Sequence, residues 1–322
     1  MAVSYVNPHN YMPLKRTSDG LRDVSGSTFP IVDEVPRFCE VENYTSSFGR
    51  QWNKFQTTQI DREGIRGDPS RLRFFAETAW RPEELKGLDV LEVGSGAGRF
   101  SRVVLEATGA NLFSIDFSTA VEANWRNNRA IAPDRFHLSQ ASIYDMPFPD
   151  DCFDKSFCLG VLQHTPDFEA SVRALVRKTK PGGEIVVDFY AIRGFWTKLN
   201  AKYLLRPFTR QMSQERLLAL IDRNADRLIT MSRVLQRSGL GVLRRFLPVV
   251  DIFNALPPGL SDEQLREWVV LDTFDMFSPA YDNPQRVEAV AAMFERAGAT
   301  IKFAGYVDVG TGKAAVVRAI KN

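Results

Sequence analysis

The chain has 322 residues, 44% hydrophobic and 25% charged, with a formal net charge of +2. That length reads as two domains or as one large domain with an insertion, and the composition is that of a globular protein. The near-balance of charge excludes a whole-molecule attraction to nucleic acid or an anionic membrane, and three cysteines without a C-x-x-C pair beside three histidines (His9, His137, His164) exclude a disulfide framework and a structural zinc cluster.

Residues 1–36 are polar, rich in Pro, Gly, Ser and Thr, and show no steady period, so they read as a flexible arm. Their opening lacks the basic start and apolar core of a signal peptide, and no window approaches ~20 consecutive apolar residues; the expected location is the cytoplasm. In residues 38–61, Tyr44, Phe48, Trp52 and Phe55 fall on one helical face. Such a stripe usually packs on a core; its functional alternative is an aromatic lid over a ligand, with Trp52 in the substrate pocket. Asp68-Pro69 then predicts an N-cap and first helical position for a helix through "SRLRFFAETAW".

From Leu88 the pattern alternates. "LDVLEV", "NLFSID", "RFHLSQAS", "FDKSFCLGVL" and "EIVVDFY" read as strands, separated by helical stretches, the last of them stopped by Pro181-Gly182-Gly183. After Tyr190 the alternation stops for a helical stretch that includes "SQERLLALIDRNADRLITMSRVLQRSG" and "SDEQLREWVVLDTF", the second opening with a Ser261/Gln264 capping box. It resumes with a helix "NPQRVEAVAAMFERAG", capped by Asn283 with Pro284 first and Gly298 last, and two strands, "TIKFAGYV" and "AAVVRAI". The expected fold is α/β: a Rossmann-like, doubly wound, mostly parallel seven-stranded sheet with a helical cap inserted after the fifth strand. Residues 37–190 and 270–322 make the α/β domain, and 191–269 the cap.

The glycine loop "VLEVGSGAGRF", residues 90–100, follows the first strand, where parallel sheets bind ligands. It is not a phosphate loop of the G-x-x-x-x-G-K-[ST] type, because Arg99 stands where the second glycine is needed. Nor is it G-x-G-x-x-G: counted from Gly94 the third position is Arg99, and counted from Gly96 it is Ser101. The spacing Glu92, Gly94, Gly96, Gly98 resembles instead the first motif of class I S-adenosylmethionine-dependent methyltransferases. That cofactor has no pyrophosphate; it carries a sulfonium, an ammonium and a carboxylate. An acid at the strand end offsets positive charge, directly or through water, and bare backbone lets the ligand approach.

"QASIYDMPFPDDCFDKSFCLGVLQHTPD", residues 140–167, with the later "KPGG", is similar to small-molecule methyltransferases of the UbiE/type-11 kind. The resemblance covers roughly residues 88–190 and the terminal helix and strands. It implies an enzyme of small-molecule biosynthesis that binds S-adenosylmethionine through Glu92, Gly94, Ser95, Gly96, Gly98, Asp116, Phe117, Ser142, Ile143 and Gly160. Asp116 would accept hydrogen bonds from the ribose hydroxyls, and Phe117 and Ile143 would pack on adenine. Ser142 stands where the family often has an aspartate near the adenine amino group.

His164 is the candidate general base, since a free imidazole titrates near neutrality; its alternative is a loop-orienting role. Tyr190, Asp275 and Tyr281 are weaker candidates bordering the pocket. The acceptor, by family analogy, is a hydroxyl of a small molecule or saccharide. N- or C-methylation, including of RNA, a nicotinamide oxidoreductase and a non-catalytic cofactor-binding subunit are the alternatives. Residues 191–249 hold twelve basic residues against three acids. This is either a solvated face, a cap for an anionic substrate, or a peripheral membrane contact; RNA lacks a dedicated motif here.

Overall fold

The computed structural model of the chain describes residues 3–40, 43–61, 68–194, 197 and 199–322. The N-terminal residues, expected as an arm without elements, carry five short strands: β1 (Lys15–Thr17), β2 (Gly20–Arg22), β3 (Thr28–Phe29), β4 (Ile31–Val32) and β5 (Val35–Pro36). They pair only with one another, yet Leu21 and Phe38 are buried in the same apolar cluster as the main sheet. Few apolar residues anchor this segment, which is why its sequence reads as solvated.

Helix α1 (Ser46–Lys54) is shorter than the aromatic stripe implied: Tyr44 precedes it and Phe55 follows it. Helix α2 (Pro69–Thr78) begins at the expected proline, but Asp68 has a left-handed backbone and does not cap. Asp61 does so from a distance, its carboxylate accepting from the Ser70 and Arg71 N–H groups at 3.0 Å each. The first strand of the main sheet is β6 (Asp89–Val93), followed by α3 (Arg99–Ala107), β7 (Asn111–Asp116), α4 (Val121–Asn128), β8 (Phe136–Gln140), β9 (Phe153–Cys158), α5 (Phe168–Lys178) and β10 (Thr179–Phe189). The Pro-Gly-Gly stretch does not separate α5 from its strand. It lies within β10, at a register shift between Thr179 and Glu184.

The insertion holds α6 (Ala201–Thr209), α7 (Gln214–Arg237) and α8 (Asp262–Phe277). Ser213 caps α7 and the Ser261/Gln264 box caps α8, as their sequences dictate. The domain boundary expected at residue 270 falls inside α8. The reason is packing: α8 buries Trp268, Val269, Val270 and Phe274 with Leu217, Ile221 and Ile229 of α7 in one cluster, so the helix cannot be divided. The chain returns through α9 (Val287–Arg296), β11 (Ala299–Asp308) and β12 (Lys313–Lys321). Asn283 does not cap α9, which starts at Val287 after Arg286. Its N–H donates instead to the Gln163 carbonyl at 2.7 Å and its Nδ2 to that of Thr165 at 2.9 Å.

The seven-stranded sheet has the order β11-β12-β10-β9-β6-β7-β8, with β12 antiparallel to both neighbours. Strand order reverses between β6 and β9, which opens a crevice at their carboxyl ends. Apolar clusters cover both faces of the sheet, and the insertion has a third of its own. No described helix is long and apolar enough to cross a membrane.

Candidate active site

A cavity of about 360 Å³ lies at that crevice, walled by the glycine loop on one side and by residues of α1 and α8 on the other. Its size suits a small molecule. Gly94, Gly96 and Gly98 all have positive φ, +80°, +53° and +87°, which favours glycine at each. Their surroundings differ. A Cβ on Gly94 would enter the Val161 side chain, and one on Gly96 would press on the Trp52 indole at 3.1 Å. Gly94, Ser95 and Gly96 line the cavity; Gly98 does not. A Cβ at Gly98 would stand 2.1 Å from both Asn124 Oδ1 and Asn128 Nδ2, so this glycine makes room for α4 rather than for a ligand.

Glu92 also departs from expectation. It is buried beneath the loop, outside the cavity wall, and its carboxylate accepts from Ser101 Oγ at 2.5 Å and Ser114 Oγ at 2.7 Å. Burial pushes its carboxyl up to about 7, against which the two serines act. Its role in the fold is to tie β6 to α3 and β7; it presents no charge to the cavity.

Asp116 does line the cavity, at the end of β7. One carboxylate oxygen accepts from the Gly96 N–H at 2.8 Å, and the other from Ser118 N–H and Oγ at 2.8 and 2.6 Å. Burial raises its carboxyl, and these donors oppose the rise. Three bonds leave lone-pair capacity facing the cavity. Phe117, Ile143 and Gly160 line the same wall, and the Gly160 N–H donates to Asp188. Ser142 does not: its Oγ accepts from the Tyr144 N–H at 3.1 Å, while Ala141 and Ile143 on either side reach the cavity. Ser95 contributes a buried hydroxyl with no partner.

Tyr44, Phe48 and Trp52 roof the cavity, whereas Phe55 is buried in the cluster of the insertion. One aromatic stripe thus does both jobs. His164 sits in a short 3₁₀ turn, Leu162–His164, after β9 and in the cavity wall. Its Nδ1 lies 3.1 Å from the Tyr281 carbonyl oxygen. A carbonyl only accepts, so Nδ1 carries the proton and Nε2 the lone pair. Nε2 is buried without a partner. Burial lowers the imidazole pKa, which keeps the ring neutral, and Phe48 and Tyr190 hold it at ring distances of 5.2 and 5.5 Å. Tyr190 Oη donates to Asp275 Oδ2 at 3.0 Å, and both residues line the cavity. Tyr281 is absent from the wall; it contributes its backbone carbonyl, and its ring packs edge-on against Tyr44.

Sequence reasoning missed Asp272, Arg73 and Arg99, which line the cavity as well. Asp272 stands one helical turn before Asp275 on α8; burial and the Asp275 charge raise its carboxyl to about 7, while Gln59 Nε2 donates to it at 3.0 Å. Arg99 donates to Ser70 Oγ at 2.8 Å and has no ion pair among the described residues, and burial lowers its pKa to about 10. The i,i+3 spacing of the two aspartates and the arginine directly after Gly98 were visible, but not which way they face.

A switch-point crevice with the Glu92, Gly94, Gly96, Gly98 loop and Asp116 at the end of the second strand is the arrangement expected of a class I S-adenosylmethionine-binding domain. Residues 91–187 match the methyltransferase domain family of type 11. Residues 91–187 thus form a class I S-adenosylmethionine-dependent methyltransferase domain, a family whose cofactor is S-adenosylmethionine. It is 27% identical over 242 residues to an uncharacterised protein of Synechococcus, covering 73% of this chain and 52% of that protein. It is 35% identical over 126 residues to the chloroplastic tocopherol O-methyltransferase of Arabidopsis thaliana, covering 38% and 36%. The chain thus spans about half or less of the curated relatives it matches. A chain of the complex between the Haloferax volcanii Trm112 methyltransferase activator and a methyltransferase shares the fold, with a TM-score of 0.50 at 11% identity over 87% of this chain and 99% of that one.

Proposed function

We propose that the chain transfers the methyl group of S-adenosylmethionine to a hydroxyl of a small molecule or saccharide, with His164 as general base. The observation that carries this reading is the His164 tautomer: Nδ1–H is committed to the Tyr281 carbonyl, leaving the buried Nε2 lone pair unpartnered in the cavity wall. When bound, S-adenosylmethionine supplies a methyl group activated by a positively charged sulfur. Gly94, Ser95 and Gly96 offer backbone and a free hydroxyl to its amino-acid end, Asp116 accepts from its ribose, and Phe117 and Ile143 flank adenine. His164 Nε2 would take the acceptor's hydroxyl proton, while the bound cofactor would supply the methyl carbon for the new O–C bond, its C–S bond breaking to release S-adenosylhomocysteine. Asp272 and Asp275, one turn apart in the opposite wall, accept hydrogen bonds from further hydroxyls, which favours a polyhydroxylated acceptor.

Titration calorimetry with S-adenosylhomocysteine and with NADH tests the cofactor; binding of NADH alone refutes the reading. Labelled S-adenosylmethionine with cell extract identifies the acceptor. A product methylated on nitrogen or carbon would overturn the hydroxyl assignment.

A further inference from the structure

The insertion carries a surface that the cavity does not use. Of nineteen large apolar side chains exposed among the described residues, eleven lie between Leu204 and Phe253. Phe208 and Val242 are 70% and 71% exposed, far more than solvation of a single stray apolar residue explains when they stand in such company. On α7 the exposed positions Arg216, Leu220, Arg223, Arg227, Met231 and Val234 follow one another at three- and four-residue steps, so they form a single outward stripe. The opposite stripe, Leu217, Ile221, Ala225 and Ile229, is buried in the cluster of the insertion. The helix is therefore held by one face and presents a second, mixed basic and apolar face to the outside.

The charge on that face is less than the sequence count implied, but it is free. Lys202 and Arg206 are buried against Asp282, Arg233 pairs with Asp262 and Arg244 with Asp251. Lys198 lies outside the described residues. The three acids of residues 191–249 are neutralised by arginines from outside that stretch: Glu215 by Arg50, and Asp222 and Asp226 by Arg266 of α8. Arg210, Arg216, Arg223, Arg227 and Arg237 are exposed and make no ion pair among the described residues. Positive charge without counter-charge, interleaved with aliphatic side chains, is the composition of a helix that lies in a lipid interface.

We propose that this face of the insertion docks on the surface of an anionic phospholipid bilayer, the arginines at the level of the phosphates and Leu220, Met231 and Val234 at the headgroup–acyl boundary. A second copy of the chain is disfavoured as occupant, because a two-fold contact would set the arginine stripe against itself. RNA is disfavoured because it would use the arginines of the α7 stripe and leave Leu220, Met231 and Val234 in water, and that stripe offers no aromatic ring for a base to stack on.

The test is flotation of the full chain with vesicles of phosphatidylcholine alone and of an equal mixture of phosphatidylcholine and phosphatidylglycerol. The expected result is binding to the mixed vesicles at least about tenfold tighter than to neutral ones, weakening as salt rises. Arg223→Glu with Arg227→Glu should lower that binding about tenfold or more, and Leu220→Ser with Met231→Ser should lower it with the charge intact. Both pairs lie away from the cavity, so their affinity for S-adenosylhomocysteine should match that of the unaltered chain and report the fold. Equal binding to the two vesicle types, or undiminished binding by both pairs, would overturn the proposal. So would tighter binding to a single-stranded RNA homopolymer than to the mixed vesicles, or a dimer in solution that both pairs dissociate.

Discussion

Two sets of polar groups around the cavity are built on different terms. At and behind the glycine loop and the end of β7 the carboxylates are already engaged: Asp116 in the wall by Gly96 and Ser118, and behind it Glu92 by Ser101 and Ser114 and Asp188 by Gly160 and Arg73. In the turn after β9, at the start of α3 and on α8, by contrast, His164 Nε2 has no partner, Arg99 has no counter-ion among the described residues, and burial and the nearby Asp275 charge raise the Asp272 carboxyl. The first set is fixed by its own hydrogen bonds. The second keeps bonding capacity in reserve, which costs stability and is found where chemistry is done.

The sharpest break of this contrast comes from His164→Gln. It preserves an acceptor but removes the base, and turnover should fall ~10²–10⁴-fold with S-adenosylhomocysteine affinity nearly unchanged. Retained turnover would make His164 structural. Because burial lowers the His164 pKa below its ordinary 6.5, the ring stays neutral at mildly acidic pH; the acid limb of the pH–rate profile should have its midpoint below 6.5, and a midpoint above it would contradict the assignment.

Next in size is Gly98→Ala. A left-handed backbone and a Cβ 2.1 Å from Asn124 and Asn128 should cost about 2–4 kcal/mol, read as a fall in melting temperature of the chain without ligand. An unchanged melting temperature would mean that α4 moves aside. Asp116→Ala should weaken S-adenosylhomocysteine binding by about 1–3 kcal/mol in calorimetry; unchanged affinity would remove Asp116 from the ribose.

The smallest effect separates Glu92 from Asp116. Its carboxyl rises to about 7 from an ordinary 4.5, so between those values the folded chain holds a proton that the unfolded chain has lost, and stability falls as pH rises through that window. Glu92→Gln should therefore raise stability by about 1–2 kcal/mol at about pH 8 and leave it near the original at about pH 4.5. Its cofactor affinity should not change. A loss of affinity would put Glu92 back at the ligand.

Much of this protein was legible from its residues. Strand and helix periods are local, so the seven strands, the capped helices α7 and α8 and the inserted position of the cap follow from spacing alone. The glycine loop was legible because a left-handed backbone tolerates few other residues. Tertiary structure decided the assignments that depend on direction. Glu92 and Gly98 belong to the motif yet serve packing, because the neighbours they meet, Ser101, Ser114, Asn124 and Asn128, are set by how α3 and α4 lie on the sheet. Asp61 rather than Asp68 caps α2, and Asn283 ties down the His164 turn rather than capping α9, because a hydrogen bond goes to whichever donor or acceptor the folded chain brings near. Asp272 meets Gln59, and the Tyr281 carbonyl meets His164, only through contacts between segments more than a hundred residues apart, and sequence spacing carries no information about which face such segments turn to each other.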